Sequence, residues 1–300
     1  TLLEANAAMK SIVRRDTGEN WKPYVTTLMR EAGEIGPDEE PSNEAARRFD
    51  QKRKGKKVSN EDWKSSTDGD ARIAHMKDGT THLAYKAEHV VDLDSDLVLA
   101  AEIRLGTDGD AATMAESLLA AQENLEACGS GAVIEEVAGD KGYHAAPTLE
   151  TCADFGWRTY IPEPRRHHPI KRSNRSEAQR RAVLNNRSRT RRPKSKRLQR
   201  RRSEVVERTF AHVCETGGGR RTHVRGLVNV TKRYLLAVAG HNLGRILLTL
   251  TGIGKPRSLQ GVGGRLLGRR RLLWGRRTGW GRPCRDWVRR FGHGRSRHAA

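Results

Sequence analysis

Three acidic positions stand out for what they would do together: Asp68, Asp140 and a glutamate at 204 or 207. Asp68, in Thr67-Asp68-Gly69-Asp70, opens one strand-like run, and Asp140, before Lys141-Gly142-Tyr143, closes another. Both glutamates fall on a helix-like segment after residue 203. Carboxylates gathered at one place repel one another unless a divalent cation neutralises them. Mg²⁺ suits that donor set, because it takes oxygen ligands, keeps several waters and reaches phosphate oxygens; Mn²⁺ is the alternative. Two such ions about 4 Å apart activate an attacking oxygen and steady a leaving one, which is phosphodiester chemistry. Each acid also has an ordinary role open to it. Asp68 alone is a turn or cap residue, Asp140 fits a loop, and Asp70, Asp92, Asp94 and Asp96 compete for the first position.

The two glutamates are separated by a helical-wheel argument. Val206, Phe210 and Val213 recur at i, i+4 and i+7 and define an expected packed stripe. Glu207 then lies about 93° from its centre and Glu204 about 153°. A metal ligand belongs at the edge of the packed face, which favours Glu207 and leaves Glu204 as the alternative.

The elements that must position these acids are legible in outline. Leu3 to Arg15 reads as a helical opening, followed by a polar Gly-, Pro- and Glu-rich segment ending in the basic run Lys52-Arg53-Lys54-Gly55-Lys56-Lys57. Ala71 to Met76 alternates, Lys77-Asp78-Gly79-Thr80 supplies a turn, and Thr81 to Val91 resumes, which is a hairpin pattern. Leu97 to Ala101 adds a third strand. Ala111 to Ala127 is helical by composition, with Asp108 or Asp110 as cap. Gly131 to Ala138 reads as a buried strand, Pro147 to Phe155 as a helix opened by proline, and Trp157 to Ile161 as a fifth strand. Ser203 to Glu215 and Leu227 to Leu250 close the series as helices. The order β-β-β-α-β-α-β, then helices, is that of a ribonuclease-H-like α/β fold: a mixed five-stranded sheet with flanking helices, here carrying a basic insertion. In such a sheet the strands of Asp68 and Asp140 are neighbours, and a carboxylate at a strand's C-terminal end faces the ligand crevice.

Charge agrees with a polyanionic partner. Residues 1–160 hold 19 Lys/Arg against 30 Asp/Glu, a net of −11, whereas residues 161–300 hold 38 against 6, a net of +32. An acidic half with a strongly basic half points to a cation site beside a nucleic-acid surface. The insertion 163–202 contains 17 Lys/Arg and only Glu163 and Glu177 as acids. It has no aromatic interleaving, so phosphate contact is expected rather than base stacking, whether or not the free tract is disordered. The cysteines Cys128, Cys152, Cys214 and Cys284 form no C-x-x-C pair and read as reduced thiols. Tyr234 to Leu250 is interrupted by His241, Asn242 and Arg245 and is too polar for a lone membrane span. No secretory signal is visible, and a chain starting at Thr1 without Met is expected to be a fragment.

Thr67-Asp68-Gly69-Asp70-Ala71-Arg72, Asp140-Lys141-Gly142-Tyr143-His144 and Glu204-Val205-Val206-Glu207-Arg208-Thr209-Phe210 together resemble the DDE transposases of bacterial insertion sequences. Tyr85 to Asp92, Arg225 to Val230 and His241-Asn242-Leu243 support the likeness, which covers roughly residues 1 to 260. The resemblance implies a ribonuclease-H-like core in which Asp68, Asp140 and Glu207 hold Mg²⁺. It further implies hydrolysis at transposon ends and attack of the freed 3′-hydroxyl on target DNA. Double-stranded DNA is then the partner, with Arg208 and the insertion gripping phosphates; no membrane partner is expected, the oligomer is a homo-oligomer on DNA, and the location is the bacterial cytoplasm at the nucleoid. Many relatives carry a Tyr-x-x-Arg-x-x-x-Glu-x-x-x-x-x-x-Lys signature. Arg200 precedes Glu204 correctly but Ala211 takes the Lys position; around Glu207 the two positions are Ser203 and Cys214.

On this likeness, residues 1–60 are a partial N-terminal helical region and linker. Residues 61–255 are the catalytic domain, and 256–300 are an Arg/Gly-rich, disordered tail. From Gly261 the tail has twelve Arg, nine Gly, three Trp and one acid, as a nucleic-acid tail or a shifted reading frame of a GC-rich gene would have. Other constellations carry less. His75, His82 and His89 are seven apart, so neighbours in the series fall on opposite faces of a strand. Gly252-Ile253-Gly254-Lys255-Pro256 lacks the first glycine and the Ser/Thr of a phosphate loop. Two readings follow: an active Mg²⁺-dependent transposase, or a truncated remnant that binds DNA without transposing it.

Overall fold

The computed structural model describes residues 1–52, 62–76, 79–165 and 175–252. In chain order these form β1 (Leu2–Glu4), β2 (Ile12–Arg14), α1 (Trp21–Glu31), α2 (Asn43–Lys52), β3 (Trp63–Ser65), β4 (Arg72–His75), β5 (Thr81–Val91) and β6 (Val98–Leu105). There follow α3 (Asp110–Ala127), β7 (Glu136–Ala138), α4 (Ala146–Asp154), β8 (Arg158–Tyr160), α5 (Glu177–Thr190), α6 (Pro193–Phe210) and α7 (Leu227–Thr251). From β4 to β8 the order is the expected β-β-β-α-β-α-β. The basic run after Lys52, Lys77-Asp78 in the hairpin turn, His167-His168 and the tail lie outside the described residues.

The chain groups into two compact units. The first takes in Thr1–Ala87, Ile103–Thr107 and Arg220–Arg233; the second takes in Glu88–Glu102, Asp108–Gly219 and the residues from Tyr234 onward. The first-unit part of β5, up to Ala87, is flanked antiparallel by β1 (Leu3 opposite Tyr85) and β4 (Ile73 opposite Leu83). β6 also pairs with β5. A strand covered on both sides has no solvent face, and every residue from Leu83 to Val91 is buried.

The opening residues depart from the expected helix. Leu2–Glu4 is a strand and Leu3 is fully buried, because pairing with β5 and burial of Leu3 outweigh a weak local preference for helix. The polar segment after it is not a structureless linker either: α1 and α2 bury Val25, Met29 and Ala46 against Trp21, Tyr24 and Phe49. Two short amphipathic helices need few apolar residues to make a small core, which composition alone conceals.

In the second unit a core of Met114, Leu118, Val137, Leu149, Cys152, Trp157, Ile161 and Val183 joins α3, β7, α4, β8 and α5. β7 and β8 pair in parallel, Glu136 opposite Arg158. The pairings therefore make one four-stranded sheet and two two-stranded ones, β2-β3 and β7-β8. The expected neighbour relation between the strands of Asp68 and Asp140 is not among them: β4 pairs with β5, and β7 with β8. β7 has only three ladder residues, since residues 131–135 are not in a strand, and this leaves little edge for a further partner.

The described part of the basic insertion is folded. α5 buries Ala182, Val183 and Asn186, and α6 buries Ser195 and Leu198. Asn186, with no exposed surface, accepts from the Ile161 amide (3.0 Å) and donates to the Ile161 carbonyl (2.8 Å), so it serves as a strand partner just beyond β8. Asn186→Ala strands two buried backbone groups and is expected to lower stability by about 2–3 kcal/mol in urea unfolding, with the m-value unchanged.

Candidate active site

Asp68 is set by the turn that follows β3. The Ser65 hydroxyl accepts from the Thr67 and Asp68 amides (3.2 and 3.1 Å), and the Asp68 side chain turns inward until only 3% of the residue is exposed. Its Oδ1 accepts from the Tyr85 hydroxyl at 2.7 Å and the Gly226 amide at 3.2 Å. Its Oδ2 is buried and has no hydrogen-bond partner among the described residues. Burial, and then the bond to Asp68, push the Tyr85 phenol far above its usual range, so Tyr85 remains a donor. Asp70, the nearest competitor, accepts from the Leu227 amide (2.9 Å) and caps the start of α7. Asp92 accepts from the Ser95 amide and hydroxyl within its own turn.

Asp140 follows β7 and Gly139. Its Oδ1 accepts from the Lys141 amide at 2.7 Å, its side chain is 59% exposed, and Arg202 of α6 lies 4.0 Å away. Space at this turn is tight: a Cβ on Gly142 would stand 2.7 Å from Asp110 Oδ2. Burial first, then the charges of Glu88, Asp110 and Asp140, push the Tyr143 phenol up as well. The first half of α6 crosses the ends of β7 and β8: Gln199 donates to the carbonyls of Gly139 and Tyr160, and Lys194 pairs with buried Glu136 at 2.6 Å.

Further along α6 the expected packed stripe is displaced. Val205 and Thr209 are buried with Leu198, while Val206 and Phe210 are half-buried. The buried line thus runs one residue N-terminal to the expected one within α6 itself, and Val213 continues it in the π-helix at Ala211–Thr216. The packed face therefore does not select Glu207, and side-chain engagement distinguishes the two glutamates. Glu204 is held by Arg208 and by Arg201 (3.4 Å), whereas exposed Glu207 accepts from the Ser203 hydroxyl at 2.9 Å. Asp140 and Glu207 belong to the second unit and Asp68 to the first. Among the described residues, no three His, Cys, Asp or Glu side chains form a metal-holding group.

A family model for the transposase DDE domain matches residues 50–243, well over half of the chain. The chain belongs to the DDE transposase family. No curated protein and no solved structure matches it significantly. DDE transposases act on DNA as nucleases and strand transferases and use a divalent metal. Among the described residues of this transposase, no helix is long and apolar enough to cross a membrane. Among the described residues, Cys128, Cys152 and Cys214 form no disulfide.

Two buried polar residues of the transposase, Asp96 (a competitor for the first acidic position) and His89, take structural roles that their sequence context does not signal. Asp96 accepts from Arg201 (2.7 Å), Arg208 (2.9 Å) and Arg245 (2.5 Å), the first two on the helix of Glu207. His89 lies between Thr209 and Tyr234, with its ring stacked on Phe210 at 4.0 Å. The one local signal for either is a polar residue beside an apolar run, which also describes an ordinary turn or strand end.

Proposed function

We propose that this chain is a transposase that binds transposon-end and target DNA and carries out metal-dependent strand cleavage and strand transfer. The proposed Mg²⁺ ligands are Asp68, Asp140 and Glu207. The observation that carries this reading is the Oδ2 of Asp68 in a DDE transposase: a buried carboxylate oxygen without a donor is costly unless a cation meets it. Three carboxylates suit a hard divalent ion. Asp68 would be a rigid ligand, pinned through Oδ1 by Tyr85 and Gly226. Asp140 would be an accessible one, and Glu207 is favoured over Glu204 because arginines already engage Glu204. When bound, the metal supplies activation of the attacking oxygen and stabilisation of the leaving one.

In the first step the oxygen of water attacks a phosphodiester at the transposon end, and the 3′-oxygen leaves. In the second that 3′-hydroxyl attacks a target phosphodiester, whose own 3′-oxygen departs. The exposed cations of α5 and α6, among them Arg180, Arg197 and Arg200, would hold the DNA backbone. The reading includes a ribonuclease-H-like core, which the β4-β5-β6-α3-β7-α4-β8 order supports.

The test is strand cleavage and transfer with Mg²⁺ or Mn²⁺ on DNA bearing the element's own inverted repeats. Wild-type chain is expected to cut and join, and Asp140→Ala to bind the same DNA without cutting. DNA binding with no cleavage by wild-type chain in either metal would instead identify a remnant that has kept its fold and lost its reaction.

A further inference from the structure

His89 has a hydrogen-bond direction that can be worked out. Burial holds its imidazole neutral by lowering its pKa to about 3, so one ring nitrogen donates and the other accepts. The Thr209 hydroxyl spends its only proton on the Val206 carbonyl (2.8 Å), so at 3.0 Å from His89 Nδ1 it must accept. Nδ1 therefore carries the proton, and Nε2 accepts from the Tyr234 hydroxyl at 2.9 Å. The result is a directed chain, Tyr234 O–H to His89, His89 N–H to Thr209, Thr209 O–H to the Val206 carbonyl. It ends on the residue next to Glu207 and runs through the residue two beyond it. Every member belongs to the second unit.

That stretch of α6 needs an external reference. Directly after Phe210 the backbone passes into the π-helix, so the final α-helical turn is not continued by the same ladder. A shift of one residue there would swing Glu207 by about 100° around the helix axis. Phe210 stacked on the imidazole adds a second restraint from the same residue. We propose that His89 is a positioning residue, fixing through Thr209 the rotation of the turn that presents Glu207. The proposal rests on the reading of Glu207 as a metal ligand.

The test uses the full chain and Mn²⁺ alone, by titration calorimetry, with amide hydrogen exchange over residues 205–212. Thr209→Val keeps the shape and removes the hydroxyl; Thr209→Ser restores it; Tyr234→Phe removes the donor at the other end. Thr209→Val is expected to weaken Mn²⁺ binding by about tenfold, as loss of an outer-shell partner does, and to speed exchange across 206–211. Tyr234→Phe should act in the same direction, and Thr209→Ser should match wild type. The reference is Glu207→Gln. If it weakens Mn²⁺ binding while Thr209→Val and Tyr234→Phe do not, the positioning role is overturned. If Glu207→Gln binds Mn²⁺ as wild type does, the ligand reading is overturned instead, and unchanged exchange in Thr209→Val would then overturn the His89 restraint itself.

Discussion

Asp68→Asn is expected to abolish metal-dependent strand cleavage, by at least about a thousandfold, while leaving the metal-free chain more stable by about 1 kcal/mol. The two effects have one origin. Asp68 Oδ1 is satisfied by Tyr85 and Gly226, but Oδ2 is buried with no donor, so the ionised side chain is only half compensated. Asparagine keeps an oxygen for both donors and exchanges the buried charge for an unpaired amide NH₂, a smaller desolvation cost, while deleting the anionic ligand. Asp70→Asn is the control. Asn caps a helix about as well as Asp, so α7 should keep its cap and both readouts should stay near wild type. Urea unfolding in chelator, together with a cleavage assay, checks the pair. A loss of more than about 2 kcal/mol in metal-free Asp68→Asn would mean that the carboxylate is already compensated within the fold, and the cation argument would fail.

What the sequence makes visible here is what is local. β5 is legible because its residues favour strand and Gly79 turns the chain before it; α3 is legible because its composition favours helix over eighteen residues. Asp140 is legible because an apolar run ends there at a glycine. β1 is hidden because three residues have no period of their own and are held as a strand by pairing with β5. The α6 stripe is one residue off its apolar spacing because the buried position is taken by Thr209, polar by type and bonded to His89 and the Val206 carbonyl, which leaves Val206 and Phe210 half-buried. The roles of His89 and Asp96 are hidden for a third reason. Their partners are more than a hundred positions distant, at Thr209, Tyr234, Arg201, Arg208 and Arg245, and nothing near them in the chain signals the pairing. The acids that would bind a cation were thus easier to find than the residues that hold them in place, because a ligand is defined by its type and a restraint by its partner.

Asp96→Ala is expected to be among the most damaging single changes to the second unit, at about 3–4 kcal/mol. The side chain is 5% exposed and lies against three guanidinium groups that are 25–37% exposed, so deleting it leaves three cations facing one another with Glu204 as the nearest counter-charge. Partial exposure of the arginines screens some of that repulsion, which keeps the figure below what a fully buried trio would give. The backbone contributes separately: Asp96 has φ +60°, a left-handed conformation that Asp and Asn tolerate and Ala does not favour. Asp96→Asn isolates the charge, because it keeps the turn and one acceptor oxygen, and about half of the loss is expected to remain. Asp96→Gly isolates the backbone in the other direction, since it relaxes the turn and still strands the arginines. If stability follows charge, Asp96→Gly should be nearly as unstable as Asp96→Ala, and sulfate should rescue both by occupying the arginine cluster. If Asp96→Gly is close to wild type, the turn rather than the ion cluster holds this corner of the fold. The helix of Glu207 would then owe its placement to His89 and the ends of β7 and β8.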